Sequence, residues 1–431
     1  MGVIKQSLQS GARLRDVVHT VPVMRPLMKL MSPAGRADPY PIYAKTHKHG
    51  PVIYVPTHNW IVVGYEEAAA LLRDERLSSD PRHRALRRGY RSDEWEEQFK
   101  QHPASGIRDW MLMRDGTDHA RLRSLVGSAF TRKVVEGLRP RIESLASGLL
   151  DPAAESGNLD LIGEFAYPLP MTVICDLLGV PDKDRSLFRN WTRKLARFLD
   201  PSMTAAEGEE VVRAGDEAWS EFTPYFTRLI AERRTNLGED LLSLMIRASD
   251  GTDKLTVAEL LAQSTLLLVA GHETTTNLIG NGMLALLRNP SELQRLREEP
   301  TLMRGAIEEL LRFESPVTAV LRIASEEVCV GRAKVPPGHD VIIAIGAANR
   351  DRKRFADPDR LDVTRTDVKH LAFSGGAHFC LGAPLARLEA EVALKTLLER
   401  FPQIELQTME PEWRDTFTLR GLTRLPLAVR T

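Results

Sequence analysis

The sequence predicts a mainly α-helical protein with a small β region. Apolar residues recur with helical spacing from residue 118 to about residue 235, which predicts several consecutive helices. The longest helical signal covers residues 257–287 and is apolar on most sides, so this helix is expected to be buried. Short runs rich in β-branched residues, at 52–55, 60–63 and 341–345, predict a few brief strands.

Both ends of the long helix carry sequence signals. Thr256 and Glu259, three residues apart, form a capping box for its first turn. Asn289 and Pro290 end the run, because proline cannot continue a helix. At 1.5 Å per residue, about 31 residues span roughly 46 Å, which is enough to cross a whole domain.

Composition excludes several classes of protein. The 431 residues include 58 Lys+Arg and 58 Asp+Glu, and this zero net charge argues against a nucleic-acid-binding protein. Three cysteines make no disulfide framework, which indicates a reducing compartment and a cytoplasmic protein. No uncharged apolar run reaches the roughly 18 residues of a transmembrane segment. Residues 1–37 are interpreted as a leader of unknown role and residues 38–431 as a single domain, because no repeat or linker interrupts them.

The most informative stretch is residues 373–382, Phe-Ser-Gly-Gly-Ala-His-Phe-Cys-Leu-Gly. Its three glycines favour a tight loop whose backbone closely approaches another group. Pro384 opens a helix directly afterwards, and the free N–H groups of a helix N-terminus stabilise a thiolate at Cys380. Four roles stay open for this cysteine: a buried structural residue, a catalytic nucleophile, a zinc ligand or an axial ligand of haem iron. The haem role needs only one cysteine, and a flat macrocycle also explains the glycines.

The pattern Phe-x-x-Gly-x-x-x-Cys-x-Gly, formed by Phe373, Gly376, Cys380 and Gly382, resembles the haem-binding loop of the cytochrome P450 family. The resemblance covers the chain from about residue 38 to its end. It implies the cytochrome P450 fold, with heme b (iron protoporphyrin IX) between the long central helix and this loop. Cys380 is then the metal ligand, and the other three residues belong to the cofactor-binding loop.

A second motif lies in the middle of the long helix, at residues 270–275, Ala-Gly-His-Glu-Thr-Thr. Glycine, a carboxylate and consecutive threonines are unfavourable in a buried helix, so a water-filled kink without chemistry also explains this stretch. The motif resembles the oxygen pocket of the same family at every position. The resemblance implies that Ala270 and Gly271 leave space beside the haem and that Glu273 and Thr274 are catalytic, as proton relay and hydrogen-bond donor. The histidine has no assigned role.

Four side chains are expected to bind the haem propionates. Residues 115–123 look like the family segment Asp-Pro-Pro-x-His-x-x-x-Arg, which assigns His119 and Arg123, although glycine and threonine replace its prolines. By pattern alone these two residues also fit a solvated basic face of a helix. Arg322 matches a strand arginine of the family, and His378 lies two residues before the cysteine.

Glu309 and Arg312 form a Glu-x-x-Arg pattern, which by itself indicates a surface ion pair. Its position, about 70 residues before Cys380, matches the family's buried pair. The third member of this structural triad is expected to be Arg360, in a Pro-Asp-Arg-Leu stretch. The triad is predicted to lock the fold near the thiolate loop, where removal of one member strands a buried charge.

The resemblance implies a monomeric monooxygenase of secondary metabolism that inserts one atom of O2 into a hydrophobic small molecule, by hydroxylation or epoxidation. No dinucleotide fingerprint is visible, so the electrons are expected from a separate ferredoxin or flavodoxin with its NAD(P)H reductase. Arg121, Arg132 and Lys133 are candidates for the docking patch. Two alternatives stay open. One is a peroxide-driven haem-thiolate peroxygenase, against which Glu273 and Thr274 argue; the other is a non-catalytic haem sensor or carrier.

The expected substrate pocket is mostly apolar, which fits a fatty acid, terpenoid, steroid or macrolide-like compound. Its predicted walls are the loop 80–116, the turn near Pro201, Leu267, Ala270, Val317, Val320, Thr416 and Phe417.

Overall fold

The computed structural model describes residues 26, 29–30, 32–55, 59–84, 103–127, 130–198, 200, 205–248 and 255–431. Helices dominate these residues, so the prediction of a mainly α-helical fold with a small β region is confirmed. The α-helices are α1 Pro33–Ala37, α2 Tyr40–His47, α3 Tyr65–Leu71, α4 Gly116–Gly127, α5 Arg132–Gly137, α6 Arg139–Leu149, α7 Asp151–Ser156, α8 Pro168–Leu177, α9 Arg185–Phe198, α10 Ala205–Thr235, α11 Leu241–Ala248, α12 Val257–Arg288, α13 Pro290–Glu298, α14 Met303–Phe313, α15 Ile345–Ala348 and α16 Ala383–Arg400.

The strands form three small sheets. A five-stranded sheet has the order β1-β2-β8-β5-β3, in which only β2 and β8 are parallel, and the others have the orders β4-β10-β9 and β6-β7. In the first sheet Arg322 of β5 lies opposite Val341 of β8. The strands are β1 Val52–Val55, β2 Asn59–Val62, β3 Leu77–Ser78, β4 Asn158–Asp160, β5 Val320–Ala324, β6 Val328–Val330, β7 Ala333–Val335, β8 Asp340–Ile343, β9 Gln403–Leu406 and β10 Pro426–Arg430.

The central helix α12 begins and ends where the sequence predicts. The Thr256 hydroxyl accepts a hydrogen bond from the Glu259 N–H at 3.1 Å, and the Glu259 carboxylate accepts one from the Thr256 N–H at 2.8 Å. The predicted capping box is therefore confirmed, and it satisfies two donors that a helix start leaves free. The helix ends at Arg288, and its C-cap Asn289 lies directly before Pro290, which opens α13. It packs against α8, α9, α10, α11, α14 and α16.

The core has one large cluster among the helices and two smaller ones around the sheets and the N-terminal helices. Leu30, within the predicted leader, is buried in the smallest cluster with Ile42 and Tyr43. The backbone carbonyl of Ala37 also accepts a hydrogen bond from Arg420, so the end of the leader packs on the body. The interpretation of residues 38–431 as one domain stays a prediction. Among the described helices, none is both long and apolar enough to cross a membrane.

Candidate active site

The Cys380 loop is a tight turn that leads into α16. Backbone hydrogen bonds close it, from Cys380 N to Phe373 O at 2.9 Å and from Phe379 N to Gly376 O at 3.1 Å. Gly376 has φ +63°, and a Cβ at this position would lie 2.5 Å from the carbonyl oxygen of Leu72. Both its conformation and the close approach therefore require glycine. No atom lies within 4 Å of a Cβ placed on Gly382, so the loop is open on that side.

Cys380 lies deep in the protein, but its own side chain is open on one side. Burial raises the pKa of its thiol. Hydrogen bonds from the backbone N–H groups of Gly382 and Ala383 and the positive charges of Arg123 and Arg387 act in the opposite direction. These amides belong to the start of α16, as predicted from Pro384. The loop thus presents a cysteine whose thiolate is supported by a helix N-terminus and two cations.

The central helix is open along one side only. Between Leu260 and Leu286, Ala270 is the single exposed residue of a largely buried stretch, and Gly271 and Thr274 are half-buried. Ala270 and Thr274 are one turn apart and share a face of the helix. The strip lies on α12 and the open thiol loop precedes α16, and these two helices pack together, as a site for a flat group requires. A single cysteine suffices as a protein ligand when the macrocycle supplies its own nitrogens, so these residues fit heme b.

His119, His378 and Asp115 lie together beside the loop. The two imidazole rings are 4.2 Å apart between centroids, and His378 Nε2 lies 3.0 Å from Asp115 Oδ1. Burial alone raises the pKa of Asp115, but hydrogen bonds from His378 and Ser78 bring it down to about 2. Burial and the charges of His378 and Arg123 lower the pKa of His119 to about 4.

The two predicted propionate arginines reach the same place. Arg123 Nη2 donates to the Phe379 carbonyl at 2.6 Å, one residue before the cysteine. The Arg322 side chain is buried, and within the described residues it forms no ion pair; its one hydrogen bond goes to the Leu321 carbonyl at 2.9 Å. Burial lowers its pKa. A buried guanidinium without a carboxylate partner fits an anionic group of a ligand.

Glu273 forms an ion pair with Arg414 that was not predicted from the sequence. Its Oε1 accepts a hydrogen bond from Arg414 Nη1 at 2.7 Å, and only 7% of the Glu273 side chain is exposed. Burial raises the pKa of Glu273, while the charges of Arg414 and Arg193 act against this rise. Thr274 donates its hydroxyl proton to the Ala270 carbonyl at 3.0 Å. Arg414 lies 141 residues from Glu273 in the chain, so no local sequence pattern predicts this ion pair.

His272, which had no assigned role, is fully buried. Its Nδ1 lies 2.6 Å from the Leu268 carbonyl, and its Nε2 lies 3.3 Å from the Thr192 hydroxyl of α9. The carbonyl only accepts, so the ring proton lies on Nδ1. Burial lowers the pKa of His272 to about 4, so the ring is neutral at pH 7. This histidine connects α12 to α9.

Glu309 and Arg312 form a fully buried pair, but Arg360 does not complete the triad. Arg312 Nε and Nη2 donate to the two Glu309 oxygens at 2.7 and 2.8 Å. The side chain of Arg360 is 64% exposed and pairs with Asp362, and only its backbone carbonyl reaches Arg312. Arg365 takes the third position, with its Nε 3.2 Å from Glu309 Oε2. The prediction of Arg360 was therefore wrong by five residues, because its side chain points to solvent.

Glu389 on α16 is a buried carboxyl group that sequence reasoning missed. Burial raises its pKa to about 8, opposed by a hydrogen bond with Thr275 on the central helix. Its Oε2 has no hydrogen-bond partner within the described residues. The sequence does indicate that Glu389 is buried, because it lies between Leu388 and Ala390 on the apolar side of a predicted helix.

The predicted substrate walls divide into two groups. Thr416 and Phe417 line a small cavity, partly open to solvent, together with Thr318 and Arg414. Leu267 is buried, Val317 forms a β-bridge with Leu419, and Val320 opens β5; these residues and Ala270 do not line that cavity. About half of the predicted loop wall, residues 85–102, lies outside the described residues, as does Pro201.

The predicted docking patch holds one residue that is already paired. Arg121 donates to Glu259, the acid of the α12 capping box. Arg132 and Lys133, in the first turn of α5, are exposed.

Comparisons with known proteins agree with this geometry. Residues 78–428 match the Cytochrome P450 family. The chain is 44% identical to Cytochrome P450 107B1 of Saccharopolyspora erythraea over 85% of this chain and 88% of that protein. It is 39% identical to 6-deoxyerythronolide B hydroxylase of the same organism, over 92% and 98%. Among solved structures, the cytochrome P450 PksS of the Bacillus subtilis bacillaene polyketide synthase superposes with a TM-score of 0.82 at 35% identity, covering 93% of this chain and 99% of that one.

The matched region includes the thiolate loop, the motif of the central helix and the buried Glu309–Arg312 pair. The fold, the heme b cofactor and the assignment to oxidoreductases predicted from the sequence are confirmed. The relatives are hydroxylases and monooxygenases, as the sequence predicted for this chain. The chain belongs to the cytochrome P450 family and is a haem-thiolate monooxygenase.

Proposed function

We propose that this monooxygenase oxidises a polyketide or macrolide-like compound, by hydroxylation or epoxidation, with electrons from a ferredoxin. The observation that carries the catalytic part is the presence of an open Cys380 loop and of the open strip of α12 that bears Thr274, next to the buried Glu273. The substrate class is supported by relatives named for 6-deoxyerythronolide B and for a bacillaene polyketide synthase.

Each residue of the site has a proposed role. Heme b, when bound, activates dioxygen and supplies the oxidant. The Cys380 thiolate would hold its iron, and His119, Arg123, Arg322 and His378 would hold its propionates.

Two residues of α12 would handle protons. Thr274 gives up its bond to the Ala270 carbonyl and donates its hydroxyl proton into the open strip. Glu273 holds the proton that replaces it, because burial raises the pKa of this carboxyl group and so favours its protonated form.

A pair of cysteine variants tests the ligand assignment. The reduced protein with carbon monoxide is expected to show the strongly red-shifted Soret band of sulfur-ligated haem. Cys380→Ser is expected to abolish this band, because a hydroxyl group does not replace the thiolate. Cys329→Ser is the matched control, since Cys329 is exposed on β6 and its band is expected to persist. Retention of the band in Cys380→Ser would overturn the assignment.

Substrate binding is tested by shifts in the haem absorption spectrum. Macrolide lactones, fatty acids and steroids are titrated into the oxidised holoenzyme. Under the proposal, the lactones produce a saturable shift at the lowest concentration. A shift produced only by fatty acids would overturn the substrate class but leave the assignment as a monooxygenase intact.

Arg132 and Lys133 are proposed to contact the redox partner, because both are exposed and cationic on α5. The double change Arg132→Glu, Lys133→Glu is expected to slow reduction by ferredoxin, with a smaller effect at high salt. Lys334→Glu on β7 is the control, since this exposed lysine belongs to the two-stranded sheet β6-β7 and pairs with Glu327. Unchanged reduction rates in the double variant would remove these two residues from the patch. The monomeric state and the cytoplasmic location stay predictions.

A further inference from the structure

Three residues beside the Cys380 loop, none of them predicted as site residues, form a charged cluster. Arg387 of α16 donates from Nε and Nη2 to the two carboxylate oxygens of Glu308 at 2.6 and 2.9 Å. His370 Nε2 lies 3.1 Å from Oε2 of the same carboxylate. We call Glu308, His370 and Arg387 the Glu308 cluster. One carboxylate on α14 thus binds a residue of α16 and a residue of the segment that enters the loop.

The hydrogen bonds of His370 determine the position of its ring proton. Its Nδ1 accepts a hydrogen bond from the Ala372 backbone N–H at 3.1 Å, so the proton lies on Nε2 and is donated to Glu308. Burial raises the pKa of Glu308, but hydrogen bonds from Arg387 and His370 bring it down to about 2. The Glu308 carboxylate is therefore negatively charged at pH 7.

Arg387 connects this carboxylate to the cysteine. Its guanidinium carbon lies 4.4 Å from the centroid of the Phe373 ring, which is a cation–π contact. The Phe373 carbonyl accepts the hydrogen bond from the Cys380 N–H at 2.9 Å. Burial raises the pKa of the Cys380 thiol, and the positive charge of Arg387 is among the factors that oppose this rise. The electric field at the sulfur therefore depends on where Arg387 lies and on how far Glu308 neutralises it.

Glu308 and its neighbour Glu309 bind different arginines. Glu309 pairs with Arg312 inside the protein, where both side chains are 0% exposed. The side chains of Glu308 and Arg387 are 29% and 36% exposed. A partly exposed arginine can turn its head group into water, and the two parallel hydrogen bonds to Glu308 hold it against the Phe373 ring instead.

We propose that Glu308 is a positioning residue that sets the reduction potential of the holoenzyme, because it places Arg387 beside the Cys380 loop and partly neutralises its charge. This inference rests on the proposed role of Cys380 as the ligand of the haem iron. A nearby positive charge favours the form of the protein that carries one more electron, and a nearby negative charge favours the oxidised form. Arg387 and Glu308 therefore act on the potential with opposite signs.

Potentiometric titration of the substrate-free holoenzyme, without a redox protein, tests this proposal. Glu308→Gln is expected to raise the potential, because Arg387 keeps its charge and loses its counter-charge. At a fixed solution potential, the ratio of reduced to oxidised protein should increase about tenfold, which is a shift of about 59 mV for a one-electron couple. Arg387→Gln is expected to lower the potential. The double variant should return close to the potential of the unchanged protein.

The opposite signs separate an electrostatic role from a merely structural one. If the cluster only stiffened the loop, both single variants would loosen it and shift the potential in the same direction. Shifts in the same direction would therefore overturn the proposal, as would an unchanged potential in Glu308→Gln. If Glu308→Gln yields no holoenzyme, Arg387→Gln decides alone. A lower potential then supports the proposal, and an unchanged or higher potential overturns it.

Glu391→Gln is the matched control. Glu391 lies one turn farther along α16 and also pairs with two arginines, Arg139 at 3.3 Å and Arg304 at 3.1 Å. Its potential is expected to stay close to that of the unchanged protein, and a shift as large as that of Glu308→Gln would overturn the proposal. The carbon monoxide band is recorded for each variant. Where the sulfur-ligated band is present, an unshifted potential counts against Glu308 and leaves the ligand role of Cys380 in place.

Discussion

Two buried carboxylates of this protein, Glu309 and Glu273, each pair with an arginine, but their surroundings differ. The side chains of Glu309 and Arg312 are 0% exposed, and Arg312 also donates to the carbonyls of Asn349 and Pro358 at 3.0 and 2.9 Å. Glu273 has one hydrogen bond within the described residues, and its partner Arg414 lines a cavity.

The difference shows how the same pair of residue types serves two purposes. Glu309 accepts hydrogen bonds at both carboxylate oxygens and has a further ionic contact with Arg365. A movement of this pair would therefore break contacts without forming better ones. Such a saturated pair stabilises one conformation and strands a charge if either partner is lost. A carboxylate with a single contact beside a cavity can exchange that contact for water and take up a proton.

The largest expected effect comes from breaking the saturated pair. Glu309→Gln leaves the Arg312 guanidinium buried without its counter-charge, which costs about 3–5 kcal/mol of folding free energy. We expect little folded holoprotein at 37 °C and a large drop in the melting temperature by circular dichroism. A variant with an unchanged melting temperature would show that the carbonyl acceptors alone neutralise Arg312.

Glu273→Gln is expected to act on turnover instead of folding. The substitution keeps the size of the side chain and a hydrogen-bonding oxygen for Arg414, so the melting temperature should change little. Loss of the proton relay should lower the rate of product formation about 10²-fold. The measurement is turnover with the redox partner, next to the carbon monoxide band as a check of haem content. Equal turnover would remove Glu273 from the relay.

The sequence predicted elements whose signals are local. The capping box of Thr256 and Glu259 was correct because it needs only two residues three apart. The thiolate loop was equally local, since its glycines, its cysteine and Pro384 lie within twelve residues of one another. These signals depend on backbone rules that act over one or two turns of chain.

Contacts between distant segments were not predicted. Arg414 reaches Glu273 across the fold, and neither segment carries a pattern that pairs them. The prediction of Arg360 as the third member of the triad failed for another reason. Both arginines lie in an irregular segment without periodicity, where the direction of a side chain depends on loop geometry. Glu389 was predictable from its position among apolar residues, but a lone polar residue in a helix does not reveal its partner.

Arg365→Gln tests whether the contact of Arg365 with Glu309 stabilises the fold. We expect a loss of about 2 kcal/mol in unfolding free energy, because Arg365 contributes a charge contact to a fully buried carboxylate. Arg360→Gln is the matched control, and its exposed side chain should contribute within about 0.5 kcal/mol. Chemical denaturation of both variants measures these differences. A larger loss in Arg360→Gln would restore Arg360 as the third member of the triad.

Glu389 is a third buried carboxyl group, and no cation among the described residues pairs with it. Its pKa is raised from 4.5 to about 8, so between these values the folded protein holds a proton that the unfolded chain has released. Stability from this site is therefore present at low pH and is lost as pH rises toward 8, by about 1.4 kcal/mol per pH unit. Glu389→Gln cannot ionise and should lack this contribution. The unfolding free energy of the variant minus that of the unchanged protein should thus increase between pH 5 and about pH 8. A difference that is constant over this range would mean that water or a partner supports the carboxylate, and that burial alone does not set its charge.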